Sequence, residues 1–305
     1  MVLPNRMDLA LQQLVNGLTV GAFYALIALG YTMVYGIIRL INFAHGDIYA
    51  VGAFLGLSLY GLFAVLHVTN PVLTTVLGLV VSMGCTGLIG VLLYRVAYRP
   101  LLHARLSILI SAIGASLTLE YGLFLIYSPS FLVYPHLFGR AGPPLGGVEV
   151  SWLQVLIFVS SVALMGALYL LVHRTKIGMA MRALAINQDA ARLMGIDVNR
   201  IIAMTFFLGS SLAAFAGVLT GLYYSQISFL MGFLIGLKAF TAAVLGGIGN
   251  IPGAVVGGFL LGVLEGLAAG YFSSRWKDVV AFAILIIILV VRPRGLLGER
   301  VVERM

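Results

Sequence analysis

Charge is what this chain lacks. Of 305 residues only 28 are charged, 18 Lys or Arg and 10 Asp or Glu, which is 9%. A soluble globular domain carries about 25%. So little charge cannot cover a water-facing surface, which excludes a soluble enzyme, a disordered chain and a nucleic-acid binder. Cysteine is nearly absent: Cys85 stands alone, so no intramolecular disulfide forms, and no Cys/His set has metal-ligand spacing. Cys85 lies in an apolar run and reads as a small packing residue. The three lysines, Lys176, Lys238 and Lys277, follow Thr, Leu and Trp rather than the glycine of a phosphate-binding loop. Zinc-protease and nucleophile-elbow patterns are absent too. Any ATP-driven work by this chain must therefore draw on hydrolysis by another.

What is present is apolar sequence, 61% of the chain. Residues 9–38, 48–94, 201–237, 239–264 and 279–291 carry no charge. About 20 apolar residues span the hydrocarbon core as a helix. The pattern predicts an all-α polytopic membrane protein of about eight transmembrane helices, near 9–36, 48–66, 72–94, 107–127, 151–172, 200–224, 251–270 and 277–291. The Asn70-Pro71 pair divides the second block. The Gly-rich stretch 233–248 is too short for a full span and reads as a half-span or a broken helix. The apolar run after Arg6 is too long for the hydrophobic region of a secretory signal.

The +8 net charge follows the membrane rule rather than a nucleic-acid footprint. Loop 95–105 holds Arg95, Arg99 and Arg105. Loop 173–200 holds Arg174, Lys176, Arg182, Arg192 and Arg200, and the tail holds Arg292, Arg294, Arg300 and Arg304. These are 12 of the 18 basic residues and place all three segments in the cytoplasm. Loop 128–150, where Arg140 balances Glu149, faces outward, as does the N-terminus. An even number of passes must then separate Arg200 from Arg292.

Glycine is abundant, at 37 residues. The close pairs Gly52/Gly56, Gly84/Gly87, Gly253/Gly257 and Gly258/Gly262 suit either tight helix packing in lipid or hinge points of a moving gate.

Three segments break the pattern of spans. Residues 41–47 put Asn42, His45, Gly46 and Asp47 between two apolar helices. Irregular polar backbone at membrane depth survives only when buried in protein or lining a cavity; the alternative is a tight cytoplasmic turn with Asn42 or Asp47 capping the next helix. Residues 245–253 gather Gly246, Gly247, Gly249, Asn250 and Pro252, with Pro252 suited to the first turn of a helix. Both segments end in a Gly-Asp or Gly-Asn pair, a faint internal echo. In loop 173–199, Met179, Arg182, Ala183, Ile186, Ala190, Leu193 and Met194 fall at helical spacing, and Gly195 ends the helix. This amphipathic piece either lies on lipid or inserts into a partner's groove. Among ionisable residues inside spans, Glu120 is the deepest. For Lys238 and Glu265 the alternative is snorkelling to an interface.

The run from Asn16 to Asp47, ending in Asn42-Phe43-Ala44-His45-Gly46-Asp47, closely resembles the start of the branched-chain amino-acid ABC transporter permeases. Residues Gly178–Ile196 resemble that family's cytoplasmic coupling segment, and Phe240–Gly258 its C-terminal signature. Together these cover the chain from end to end in the family's order, and the Asn-Phe-Ala-His-Gly-Asp form resembles the LivH-type branch. The resemblance implies one transmembrane permease domain over 1–305, with its coupling segment at 173–199, in a bacterial or archaeal cytoplasmic membrane. It implies an M-type permease partner, two cytoplasmic ATP-binding subunits that use ATP and Mg²⁺, and an extracytoplasmic substrate-binding protein. No cofactor belongs to this chain. Leucine, isoleucine and valine are the implied substrates; similar permeases import urea and short-chain amides, and a passive small-solute channel is the more distant alternative. Asn42, His45, Asp47, Glu120, Gly247 and Asn250 become candidates for the pathway or its gate. Gly178, Arg182, Ala183, Asn187, Ala190, Arg192 and Gly195 become candidates for ATPase coupling.

Overall fold

The computed structural model describes residues 6–298 apart from 69, 103, 128, 140, 141, 143, 146 and 147. Arg140, Arg300 and Arg304, used above for orientation, lie outside the described residues. The helices are α1 (Arg6–Ile38), α2 (His45–Val65), α3 (Pro71–Leu93), α4 (Arg105–Ile126), α5 (Trp152–Arg174), α6 (Lys176–Ile186), α7 (Gln188–Leu193), α8 (Val198–Tyr224), α9 (Met231–Gly246), α10 (Ile251–Tyr271) and α11 (Lys277–Val291). The strands are β1 (Leu132–Val133), β2 (Pro144–Leu145), β3 (Val148–Glu149) and β4 (Gln226–Ile227); β1 pairs with β4 and β2 with β3, both antiparallel.

Among the described residues seven helices, α1 to α5, α8 and α10, are long and apolar enough to cross a membrane. The expected eighth span, α11, has 15 residues, and α9 has 16. At 1.5 Å per residue these reach about 22–24 Å, short of the roughly 30 Å hydrocarbon core. The stretch expected as a half-span is thus a short helix that starts at Met231. Together α8, α9, α10 and α11 run four times between the two ends of the bundle, which brings residues 292–297 back to the end where α8 starts, as the basic loops require.

Local chemistry sets the helix starts. Asn70 Oδ1 accepts from the amides of Val72 and Leu73 at 3.0 and 3.2 Å, with Pro71 in the first turn. Asn250 Oδ1 caps Gly253 at 2.9 Å, with Pro252 in the first turn. Ser151 and Gln154 form a reciprocal capping box at α5.

α1 and α8 form the buried centre, with α2, α3, α9 and α10 around them. α1 and α10 cross on small residues: Gly17, Gly21 and Ala25 face Gly258, Gly262 and Gly266, each series at four-residue spacing. Apolar burial gives no drive between helices in lipid, so close backbone approach and dispersion hold this crossing. Most of the expected glycine pairs pack in this way. Gly84 departs from it, with no atom within 4 Å of where a Cβ would stand. Cys85 beside it is exposed rather than packed, so that stretch of α3 turns outward.

Most of the described arginines gather at one end of the bundle, while Arg275, in the turn between α10 and α11, lies at the other. Arg39 donates to the carbonyl of Ala185 (3.4 Å), Gln188 to that of Ile37 (2.8 Å), and Tyr94 to Asn199 Oδ1 (3.0 Å). The amides of Leu296 and Leu297 bind the carbonyls of Leu245 and Gly246, and Gly249 approaches Gly36. The opposite end is closed by β1, β4 and Tyr134. The Tyr134 hydroxyl donates to the carbonyl of Ala53 at 3.0 Å, and burial holds its phenol well above the usual range, hence neutral.

Candidate functional site

α1 ends at the basic end, and Arg39, in the left-handed region at φ 57°, turns the chain back. Residues 40–44 then run inward without regular structure. α2 starts at His45, whose ring leans on Gly30 and meets Tyr31 edge-on, with centroids 4.8 Å apart. Gly30 precedes the end of α1 by eight residues, about 12 Å along the axis. The first turn of α2 therefore lies inside the bundle. Its N-cap is Ala44, without a side-chain hydrogen bond. Neither Asn42 nor Asp47 is the cap that the tight-turn alternative required.

Asn42, His45 and Asp47 are 2%, 1% and 1% exposed. Asn42 Oδ1 accepts from the Tyr98 hydroxyl at 2.6 Å. Tyr98 reaches it because α3 continues into a π-helical turn, Tyr94–Tyr98, which points both tyrosines inward against Phe206. Asp47 Oδ2 accepts from the Ser116 hydroxyl. Gly46 crosses Gly232 and Gly236 of α9 closely enough that a Cβ on Gly236 would stand 2.8 Å from Gly46 Cα. Beside this crossing is a pocket of about 120 Å³ lined by Tyr31, Phe43, Ser116, Glu120, Gly232 and Gly236, among others. Asn42 Nδ2, His45 Nε2 and Asp47 Oδ1 are buried without a hydrogen-bond partner in the protein. Buried polar atoms of this kind are normally met by water or a ligand.

The structure thus brings Asn42, His45, Asp47 and Glu120 into one neighbourhood. Gly247 and Asn250 lie apart, at the basic end. Asn250 caps α10 and donates from Nδ2 to the carbonyl of Leu297 at 2.8 Å. Gly247 has φ 108°, which suits glycine, and packs on Gly298.

The coupling candidates form two helices, not the single helix that the spacing predicts. Asn187 ends α6 and caps α7, accepting from the amides of Asp189 and Ala190 at 2.9 and 3.0 Å. An amide that competes for backbone donors breaks the run. Gly178 sits where a Cβ would collide with the last carbonyls of α5. Arg182 is exposed but donates to the carbonyl of Val172, which ties it to α5. Ala183 is half-buried and Ala190 exposed; Arg192 pairs with Asp189 at 3.6 Å on the surface, and Gly195 ends α7 at φ 81°. Met179, Ile186, Leu193 and Met194 project outward from this segment.

A second polar cluster, missed from sequence, joins α1, α9, α10 and α11. Lys238 Nζ pairs with Glu265 and, at 2.6 Å, with Asp278, while the Tyr24 hydroxyl donates to Glu265 at 2.6 Å. Lys238 and Glu265 therefore do not snorkel; they are buried and neutralise each other. Their being ionisable within spans was the only signal.

Span-length helices packed around a buried, polar, non-helical turn are the architecture of a multi-pass membrane protein. The model of the family described as "Branched-chain amino acid transport system / permease component" matches residues 13–289. The chain belongs to this family. It is 47% identical to the high-affinity branched-chain amino acid transport system permease protein BraD of Pseudomonas aeruginosa, over 96% of this chain and 97% of that protein. With LivH of Escherichia coli K12, described in the same words, identity is 42% over the same shares. PsaBC from Streptococcus pneumoniae, solved with a Fab, aligns at TM-score 0.43 and 12% identity over 94% of this chain and 92% of that chain, too distant to carry an argument.

Proposed function

We propose that this chain is a permease subunit of an ATP-driven importer for leucine, isoleucine and valine, in a bacterial or archaeal cytoplasmic membrane. The observation that carries the reading is near full-length identity of 47% to a branched-chain amino-acid permease. An M-type permease completes the pathway, two cytoplasmic ATPases supply the energy using ATP and Mg²⁺, and an extracytoplasmic binding protein delivers substrate.

In this reading the arginine-rich end faces the cytoplasm and α6–α7 docks on an ATPase, with Met179, Ile186, Leu193 and Met194 in the ATPase's groove. ATPase closure then moves two spans at once. Arg182 ties the segment to the end of α5, and Gln188 and Arg39 tie it to the end of α1. α1 continues directly into the turn that holds Asn42 and His45. The pathway turn is thus pulled by the coupling segment, and Gly46 slides on Gly232 and Gly236.

Two variants test this chain of contacts. Arg182→Glu puts a carboxylate against the Val172 carbonyl; uptake should fall while ATP hydrolysis persists and membrane insertion is normal. Normal uptake would remove Arg182 from the coupling path. Asp47→Asn keeps the shape but exchanges a carboxyl oxygen for an amide NH2; uptake should fall about tenfold or more, the scale of one lost buried hydrogen bond. Unchanged initial rates of labelled leucine entry would place the pathway elsewhere. The reading as a whole is tested by complementation. In a strain deficient in leucine uptake, this chain with its partner subunits should restore growth on limiting leucine, and failure with all subunits present would contradict it.

A further inference from the structure

The Lys238 cluster does more than hold four helices together. It lines a pocket of about 570 Å³ among α1, α8, α9, α10 and α11, toward the end of the bundle that carries the α10–α11 turn. Small-molecule sites fall in this size range. Two chemistries meet there. Lys238, Glu265, Lys277 and Asp278 supply two cations and two carboxylates, and Phe131, Leu230, Leu234 and Ile235 supply an apolar wall. Lys238 and Glu265 neutralise each other at depth. The Asp278 side chain shares the same ammonium but is 56% exposed, so one carboxylate stands in excess of the buried pair. Lys277, next to it in sequence, brings the opposite sign to the same pocket. A lone anion or cation would leave one sign unmatched, and a neutral solute would use neither.

We infer that this pocket is a binding station for a zwitterionic aliphatic amino acid. The ammonium meets Asp278, the carboxylate meets Lys277, and the side chain lies on Leu230, Leu234 and Ile235. The inference rests on the amino-acid reading above and adds a location to it. α9 is the partition between this station and the deeper turn: Leu234, Ile235 and Lys238 face this pocket, while Gly232, Gly236 and Leu237 line the smaller one with Ser116 and Glu120. A substrate seated here is one short helix away from Asp47.

The single cysteine makes a direct test practical. Cys85 lies on the exposed face of α3 and does not line this pocket. In the assembled transporter carrying Cys85→Ser and Leu234→Cys, leucine should block alkylation of the introduced thiol. 4-Methylpentanoate, which lacks the ammonium, and isoamylamine, which lacks the carboxylate, should not. Adding Asp278→Asn or Lys277→Gln should raise the leucine concentration for half-protection about tenfold. If Leu234→Cys fails to assemble, Leu230→Cys serves for the same measurement. Alkylation indifferent to leucine, or blocked equally by both analogues, overturns the station. Leucine uptake by the Cys85→Ser transporter keeps the two readings apart: uptake without protection removes the station alone, and absence of uptake in the wild type removes the amino-acid function.

Discussion

Replacing Lys238 by Met should destabilise the protein by about 3–5 kcal/mol, the usual consequence of removing one partner from a buried ion pair. Glu265 is almost wholly enclosed and depends on Lys238 and Tyr24. Without Lys238 its carboxylate keeps only the Tyr24 hydroxyl as a partner in a nearly closed environment. The effect should reach beyond α9, because Glu265 belongs to α10, Asp278 to α11 and Tyr24 to α1. The double variant Lys238→Met/Glu265→Gln should recover most of the loss, since it removes both buried charges while keeping volume and the Tyr24 contact. Thermal aggregation of the purified protein in detergent separates the two: a marked fall in midpoint for the single variant and a smaller one for the double. Equal falls would mean that the cluster acts through packing rather than charge.

Gly21→Leu should prevent the α1–α10 crossing from forming. A Cβ at Gly21 would stand 2.8 Å from Phe259 Cα and 3.0 Å from the Gly258 carbonyl oxygen. Both are backbone atoms that no rotamer change can move aside. Overpacking a close-packed core costs about 1–3 kcal/mol, and more where neither side can yield. Because α1 also carries the coupling segment's contacts and leads into the Asn42 turn, its displacement should abolish uptake as well as lower the folded yield. Gly84→Leu is the matched control, since nothing lies within 4 Å of that position. It should leave yield and melting nearly unchanged. Similar losses in both variants would show that added bulk anywhere along these helices, not close approach at the α1–α10 crossing, governs these glycines.

The contrast between Gly21 and Gly84 also marks what sequence could convey. The spans and their starts were legible because their signals are local. Asn70-Pro71 and Asn250-Ile251-Pro252 carry a cap and a proline within three residues, and the apolar runs announce themselves. The arginine clusters were legible for the same reason, and the structure brings them to one end. Depth and partnership were not. Nothing around Asn42 names Tyr98, which lies 56 positions away and is presented by a π-helical turn. Nothing around Lys238 names Glu265, 27 positions on, and a lone lysine near the end of a span reads equally well as a snorkelling one. Gly247 and Asn250 are pathway or gate candidates in sequence alongside Asn42, and only the structure shows that they stand apart from the Asn42 turn, with Asn250 capping α10 and both in contact with residues 294–298. Asn187 interrupts a helical repeat that apolar spacing alone carries straight through. Cys85 shows the reverse error: an apolar run in a membrane chain has an outward face as well as an inward one.

The most direct measurement is uptake by the complete transporter reconstituted into vesicles, with the substrate-binding protein on one side and ATP on the other. Labelled leucine should accumulate only when ATP, the ATPase subunits and the binding protein are all present, and labelled urea should not accumulate. Urea uptake in place of leucine uptake, or leucine entry that survives removal of the ATPase subunits, would contradict the assignment of this chain to an ATP-driven branched-chain amino-acid importer.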